Sequence, residues 1–128
     1  MSEFKKMSTV DLITAINAAN PWFVLFYTRN FLDSWEMLNT LEGKDNMIRR
    51  IYESFLKVEF KTLKIKSVRT SVNALINIIK GGRTLDALDY VMDSKKLMRE
   101  YPEVWDEALA LLDDIADGKY NNFAIPLY

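Results

Sequence analysis

The feature that most constrains the fold is an aromatic-rich run that begins at Asn20-Pro21 and continues to Leu41. Aromatic side chains bury the largest surface of any residue type, so this run is expected to form the main wall of the core. Trp22, Phe26 and Trp35 are predicted to be among the buried residues. The run holds six of the chain's 16 Phe, Trp and Tyr residues: Trp22, Phe23, Phe26, Tyr27, Phe31 and Trp35.

The local pattern of this run is compatible with two structures. Residues 22–27 alone have the short apolar composition of a buried strand, which a shorter helix would follow. Asn20 instead suits a helix N-cap, and Pro21 suits the first helical position, where no N–H is needed. The apolar residues then continue at steps of three and four, as on a helix that faces a core. These signals favour a single helix from Pro21 to about Leu41, ended by Glu42-Gly43.

Start and stop signals predict further helices on both sides of the aromatic run. A short helix is expected after the N-cap Ser8, another from Asp45 or Asn46, a break or extended piece within 59–66, and a helix over 65–80 that Gly81-Gly82 ends. Thr84 is predicted to cap a helix over 84–99, and Pro102 to open a final helix that Gly118 closes. Its inward residues are expected to be Val104, Trp105, Ala108, Leu109, Leu112 and Ile115.

The predicted fold is all-α: one compact domain, residues 1–128, of five or six helices around the aromatic helix at 21–41. The tail 123–128 is apolar and interrupted by Pro126, so it is expected to lie as an extended strap over the core. Two absences in the sequence bear on location. Residues 1–7 carry no apolar segment of a signal peptide, and no run approaches the roughly 20 apolar residues that span a bilayer. A soluble cytoplasmic protein with no membrane partner is predicted.

Composition argues against catalysis and against metal binding. The chain has no Cys and no His, so thiolate nucleophiles, thiolate metal sites and the commonest general base are missing. The segment Asp113-Asp114-Ile115-Ala116-Asp117-Gly118 resembles a calcium-binding loop, but Ile115 stands where that loop needs an oxygen ligand. We therefore predict a protein that is not an enzyme and that uses no cofactor and no metal.

Charge is distributed unevenly along a chain whose net charge is −1. Residues 43–83 carry ten Lys and Arg against three Asp and Glu, a balance of +7. Residues 84–128 carry four Lys and Arg against ten Asp and Glu, a balance of −6. A basic middle followed by an acidic end is the most informative charge feature of the sequence.

The basic segment 57–69 is the main candidate for a binding surface. Lys57, Lys61 and Lys64 are spaced to share one helical face, which could track nucleic-acid phosphates. The same residues could instead bind an acidic protein surface, pair with the acids of 84–117, or form a solvated face. The short connection Gly81-Gly82-Arg83 predicts an antiparallel hairpin of the helices at 65–80 and 84–99. That hairpin would join two basic ends into one partner-binding patch, predicted to include Lys57, Lys61, Lys64, Lys66, Arg69, Lys95, Lys96 and Arg99.

In its size, its vocabulary rich in Lys, Asn, Ile, Phe and Tyr, and its lack of His and Cys, the chain resembles the small early accessory proteins of T4-like phages that associate with host RNA polymerase. No diagnostic motif carries the resemblance, so no residue role is transferred. The resemblance implies a non-catalytic binder of the transcription machinery in the host cytoplasm. Two functions are therefore expected: a protein-interaction module with an acidic partner, or alternatively a nucleic-acid-binding protein that uses 57–69.

Overall fold

A computed structural model describes residues 5–57 and 64–127, and within them the chain forms eight α-helices and no β-strand, which confirms the all-α class. The predicted break within 59–66 lies largely outside the described residues. The helices are α1 (Thr9–Ala19), α2 (Pro21–Asp33), α3 (Trp35–Leu38), α4 (Leu41–Lys57), α5 (Ile65–Lys80), α6 (Thr84–Met92), α7 (Lys95–Glu100) and α8 (Pro102–Ala116).

Helix α1 begins where the sequence predicts, because Ser8 caps it. The Ser8 hydroxyl accepts a hydrogen bond of 3.1 Å from the Asp11 backbone N–H, which satisfies one of the unpaired donors of the first turn. Just before α1, the Met7 N–H donates to the Gly81 carbonyl at 2.8 Å, so α1 starts beside the end of α5. Since α1 packs most extensively on α5, it runs back along that helix in the antiparallel direction.

The aromatic run is helical, but the prediction of one helix from Pro21 to Leu41 is wrong. Helix α2 ends at Asp33, because Ser34 has φ −110° and ψ 21° and leaves the helical path. The short helix α3 then turns so that Trp35 and Leu38 face the core, with the Trp35 ring centroid 5.6 Å from that of Phe123. The strand alternative for 22–27 is wrong as well, since α2 includes those residues.

Asn20 precedes α2 without capping it through its side chain. Its backbone has φ 79°, a region that favours glycine, and this sharp turn separates α1 from α2. The Asn20 carbonyl instead accepts the first helical hydrogen bonds, from Phe23 at 3.0 Å and Val24 at 3.3 Å. Pro21 occupies the first helical position, as predicted.

Gly43 lies inside the first turn of α4 and does not end a helix, which corrects the expected stop at Glu42-Gly43. Helix α4 begins at Leu41, before the predicted start at Asp45 or Asn46. The Thr40 hydroxyl accepts from the Gly43 N–H at 3.0 Å and caps this turn. The Gly43 α-carbon lies against the Met37 backbone carbonyl, where a β-carbon would collide. Glycine is therefore present because two backbones approach closely.

The core is built around α2, although not with all the aromatic residues predicted. Phe23 is 1% exposed, and Phe31 and Val24 are fully buried. Trp35, at 7% exposure, confirms the prediction for that residue. Trp22 and Phe26 are only partly buried against the core, which corrects the prediction for both.

Two predicted features of the α6–α7 region are also corrected. Thr84 is the first residue of α6 and does not cap it; its hydroxyl is buried without a hydrogen-bond partner. The single helix expected over 84–99 ends at Met92, and α7 starts anew at Lys95. Ser94 caps α7, since its hydroxyl accepts from the Leu97 N–H at 3.3 Å.

Helix α8 has the predicted limits: Pro102 is its first residue, and Gly118, with φ 90°, follows its end. Its buried residues are Ala108, Leu111 and Ile115, whereas Leu109 is 43% exposed, contrary to expectation. The segment after α8 lies against the core as the predicted strap. Its buried Leu127 accepts a 2.9 Å hydrogen bond through its carbonyl from the Leu85 N–H at the start of α6.

The helices form two groups that share α2. Helix α5 packs on α1 and α4, and α8 packs on α2, α7 and α6. Helix α2 contacts both groups, because it packs on α5 as well as on α6 and α8. Neither α4 nor α5 packs substantially on α8. The basic helix α5 and the acidic helix α8 therefore both pack on α2 without packing substantially on each other.

Candidate interaction surface

The predicted basic patch is divided in the structure. Lys64, Lys66 and Arg69 are exposed at the start of α5. Lys57 ends α4, but its side chain and the whole of Lys61 lie outside the described part of the chain. The remaining predicted residues are exposed on α7: Lys95, Lys96 and Arg99.

The antiparallel hairpin that was expected to join these two groups does not form. Helix α5 packs on α1 and α4, its contact with α6 is small, and α7 packs on α8 and α6. The reason lies in the connection, where Arg83 binds the segment before α1. The Arg83 guanidinium donates to the Met7 carbonyl at 2.7 Å and to the Asp86 carboxylate at 2.6 Å. The bond to Met7 holds the start of α1 beside the end of α5, and α1 packs along α5 more extensively than α6 does. One patch across both helices depended on this hairpin; the partner-binding role of the residues themselves stays a prediction.

What the structure shows instead is a basic stripe along α5, which we define as Lys66, Arg69 and Lys80 together with the polar residues Thr70, Asn73 and Asn77. The three cations are exposed, and none forms an ion pair with a described residue. No Asp or Glu occurs between Phe60 and Leu85, so no carboxylate of this helix competes for them. The stripe offers cationic and amide donors to an anionic partner.

Sequence reasoning missed the C-terminal half of this stripe. The cations are densest in 57–69, whereas Asn73, Asn77 and Lys80 continue the same helical face at steps of four and three. The signal was present, since the buried residues Val72, Leu75, Ile76 and Ile79 define the opposite face of the same helix.

The acidic counterpart is α8, whose sequence contains no Lys or Arg. The acidic face, which we define as Glu103, Asp106, Glu107, Asp113 and Asp117, is exposed and forms no ion pair with any described residue. The hypothesis that the basic segment pairs with the acids of 84–117 therefore finds no support within α5 and α8. The one ion pair between described residues of these two charged regions joins neighbours in sequence, Arg83 and Asp86.

Asp114 differs from the other acids of α8 because it fastens α8 to α2. Its two carboxylate oxygens bind Arg29 of α2 at 2.8 Å and Lys119 at 2.9 Å. Hydrogen bonds from Lys119 and then from Arg29 lower the pKa of Asp114 below its ordinary value. This carboxylate therefore stabilises the packing of α8 on α2.

Tyr120 extends the same anchor to the end of α2. Its hydroxyl accepts from the Arg29 guanidinium at 3.2 Å and donates to the Asp33 carboxylate at 2.7 Å. Partial burial, followed by the bond to Asp33, raises the pKa of Tyr120 to about 12. The network holds the turn after α8 against α2 and so positions the strap. We refer to Arg29, Asp33, Asp114, Lys119 and Tyr120 as the α2–α8 anchor.

The strap borders a small open pocket of about 260 Å³ beside the end of α8. Its only acid–base group is the anchored Tyr120, and its other lining residues are the amide Asn121 and apolar side chains. Within 5–57 and 64–127, no group of three or more Asp and Glu residues is arranged to hold a metal ion. In the same residues no single helix is long and apolar enough to cross a membrane; α1 and α2 reach that length only as a pair bent by 95°.

Comparison of the chain with protein-family models, with curated proteins and with solved structures gives no significant match.

Proposed function

We propose that this protein is a non-catalytic interaction module that docks on a larger macromolecular assembly through the basic stripe of α5. The observation that carries the proposal is that Lys66, Arg69 and Lys80 are exposed on one helical face and unpaired within the described chain. Cations held in this way supply electrostatic complementarity to an acidic protein surface without first breaking internal ion pairs.

Composition supports the non-catalytic part of the proposal. A chain without His or Cys lacks the usual general base and the usual thiol nucleophile. The resemblance to the accessory proteins of T4-like phages suggests the transcription machinery as the assembly, in the host cytoplasm, with bacterial RNA polymerase as the first partner to test. The basic segment 57–69 also keeps nucleic acid as a competing anionic partner, and the experiment separates the two.

The test uses a matched pair of variants. Lys66→Glu/Arg69→Glu reverses two charges of the stripe, and Lys95→Glu/Lys96→Glu reverses two exposed charges on α7, which was also predicted to contact the partner. Binding to purified bacterial RNA polymerase is measured by pull-down at low and high salt. We expect the α5 variant to lose binding, the α7 variant to retain it, and both to keep a melting temperature close to that of the parent chain, since isolated surface charges contribute little to stability.

Three outcomes contradict the proposal in different ways. Binding that survives the α5 reversal removes the stripe as the docking surface. Absence of any polymerase binding at low salt removes the transcription machinery as the assembly. A gel shift with DNA or RNA that weakens steeply with salt, with no binding to the polymerase protein alone, would favour the nucleic-acid-binding alternative.

A further inference from the structure

Three of the five acids of the acidic face of α8 repeat the spacing of the three cations in the basic stripe of α5. Lys66, Arg69 and Lys80 are separated by intervals of three and eleven residues, and so are Glu103, Asp106 and Asp117. At a rise of about 1.5 Å per residue, each set extends over about 21 Å of helix. Asp117 follows the last residue of α8, but its φ of −78° and ψ of −3° keep it close to the helical path.

These two matched surfaces cannot meet within one molecule. Helix α5 packs on α1 and α4, α8 packs on α2, α6 and α7, and α5 does not pack substantially on α8. None of these six charged side chains forms an ion pair with a described residue. No residue that the structure describes neutralises these charges, which leaves solvent ions or a second molecule to do so.

The charge of the whole chain permits two copies to approach each other. With a formal net charge of −1, copies of the protein have little long-range repulsion to overcome. Local attraction between a face with only cations and a face with only carboxylates then decides the orientation, because complementary charges steer encounters and fix register.

We propose that α8 of one molecule binds α5 of a second copy in a head-to-tail arrangement. Lys66, Arg69 and Lys80 of one copy then face Glu103, Asp106 and Asp117 of the next. The two surfaces are different, so each added copy leaves one α5 stripe and one α8 face unoccupied, and the association continues as an open chain. Exposed ion pairs are individually weak, so the association requires high protein concentration and low ionic strength.

The proposal goes beyond docking on an assembly and does not depend on the identity of that partner. It has one consequence for the α5 stripe: an acidic partner and the α8 face of a neighbouring copy exclude each other there. Self-association would keep the stripe covered until a better anionic partner displaces the neighbour.

The test is sedimentation velocity over a dilution series of the intact chain. At an ionic strength of about 0.01 M, where charges act over about 30 Å, we expect the mean sedimentation coefficient to rise with protein concentration. At about 1 M, where screening shortens this range to about 3 Å, it should return to the monomer value at every concentration. A coefficient that does not rise with concentration at low salt overturns the proposal, as does a rise that persists unchanged at high salt.

Two neutralised variants test the pairing itself. Lys66→Gln/Arg69→Gln disables α5 and leaves α8 intact, whereas Glu103→Gln/Asp106→Asn disables α8 and leaves α5 intact. Each variant alone should remain monomeric. Their mixture should form a complex again, but only a 1:1 dimer, because one functional α5 and one functional α8 remain. Recovery on mixing also establishes that both variants are folded.

The matched control is Arg49→Gln/Arg50→Gln on α4, which removes the same amount of positive charge from exposed positions outside the stripe. This control should associate as the parent chain does. If the control loses association to the same degree as the α5 variant, or if the two neutralised variants fail to associate on mixing, general charge and not the α5–α8 pairing governs the behaviour.

Discussion

Helices α5 and α8 are opposite in charge but differ in what they do for the molecule. Helix α5 (Ile65–Lys80) has only basic charges and α8 (Pro102–Ala116) has only acidic ones. No cation of α5 binds a described carboxylate, whereas Asp114 of α8 binds both Arg29 and Lys119. Part of the charge of α8 therefore stabilises the fold, whereas the charge of α5 is available to solvent and to partners.

The largest expected effect comes from truncating a core side chain of α2, the helix on which both α5 and α8 pack. Phe31 is fully buried in α2, which packs on both α5 and α8. Phe31→Ala is expected to lower the free energy of unfolding by about 3–5 kcal/mol, because it leaves a cavity as well as losing apolar burial. Urea denaturation measures the change. The matched control, Phe26→Ala, should cost less, since Phe26 is only partly buried; an equal cost would show that the core is placed incorrectly.

How much of this architecture the sequence predicts depends on whether local chemistry or packing decides each feature. Some helix limits are set by the local chemistry of one or two residues, and these limits are confirmed: they lie at Ser8, Pro21, Gly81-Gly82 and Pro102. The breaks after Asp33 and Met92 were missed because apolar residues continue at helical spacing across both. Ser94 is a residue type that commonly caps helices, but the apolar spacing across it favoured one continuous helix.

Packing also decided features for which the sequence offered equivalent choices. In Ala108-Leu109-Ala110-Leu111-Leu112 two adjacent faces are nearly equally apolar, and the choice of Leu111 over Leu109 depends on how α8 lies on α2. The two charged regions could be predicted from the sequence. Their separation could not, because it depends on Arg83 holding the start of α1 beside α5 through the Met7 carbonyl.

A second large effect is expected where α3 contacts the first turn of α4. Glycine to alanine inside a helix ordinarily stabilises, by roughly 0.5–1 kcal/mol. At Gly43 the added β-carbon would collide with the Met37 backbone, so Gly43→Ala should instead destabilise by about 1–3 kcal/mol. Thermal and urea unfolding provide the measurement. Asn46→Ala, at an exposed position of the same helix, is the control and should be neutral or slightly stabilising; if Gly43→Ala behaves likewise, the close approach of α3 and α4 is wrong.

The α2–α8 anchor offers a smaller change with a distinctive pH dependence. Tyr120→Phe removes two hydrogen bonds of a partly exposed hydroxyl and should cost about 0.5–1.5 kcal/mol at neutral pH. The pKa of Tyr120 is raised from 10.0 to about 12, so the folded state holds this proton more tightly than the unfolded state. The stability it contributes is complete below pH 10 and is lost as pH rises towards 12.

The measurement is the difference between the parent chain and Tyr120→Phe in urea unfolding from neutral pH to about pH 12. That difference should shrink above pH 10 as unfolded tyrosine ionises. Tyr90→Phe, at a tyrosine that is 48% exposed on α6, is the control for removing a phenolic hydroxyl outside the α2–α8 anchor. A difference that stays constant across the alkaline range would show that burial and the bond to Asp33 do not raise the pKa of Tyr120 in the folded state.

The smallest effect is expected for the basic stripe, and it separates the two charged helices most directly. Lys66→Gln/Arg69→Gln should change the free energy of unfolding by no more than about 0.5 kcal/mol at any pH between neutrality and acid, because neither cation has an intramolecular partner among the described residues.

Asp114→Asn should instead change how stability depends on acidic pH. Bonds from Lys119 and Arg29 lower the pKa of Asp114 below 3.8. The stability that the ionised Asp114 contributes is therefore present above that pH and is lost as pH falls through the lowered pKa. Acid titration followed by circular dichroism compares the three chains: the parent and the α5 variant should lose stability together below about pH 4, and Asp114→Asn should lack that component. Asp106→Asn is the control for removing a carboxylate of α8 that forms no ion pair with a described residue. If the α5 variant is strongly destabilised, its cations are held by a structural partner, and the contrast between a helix that fastens the fold and a helix that is free to bind would no longer stand.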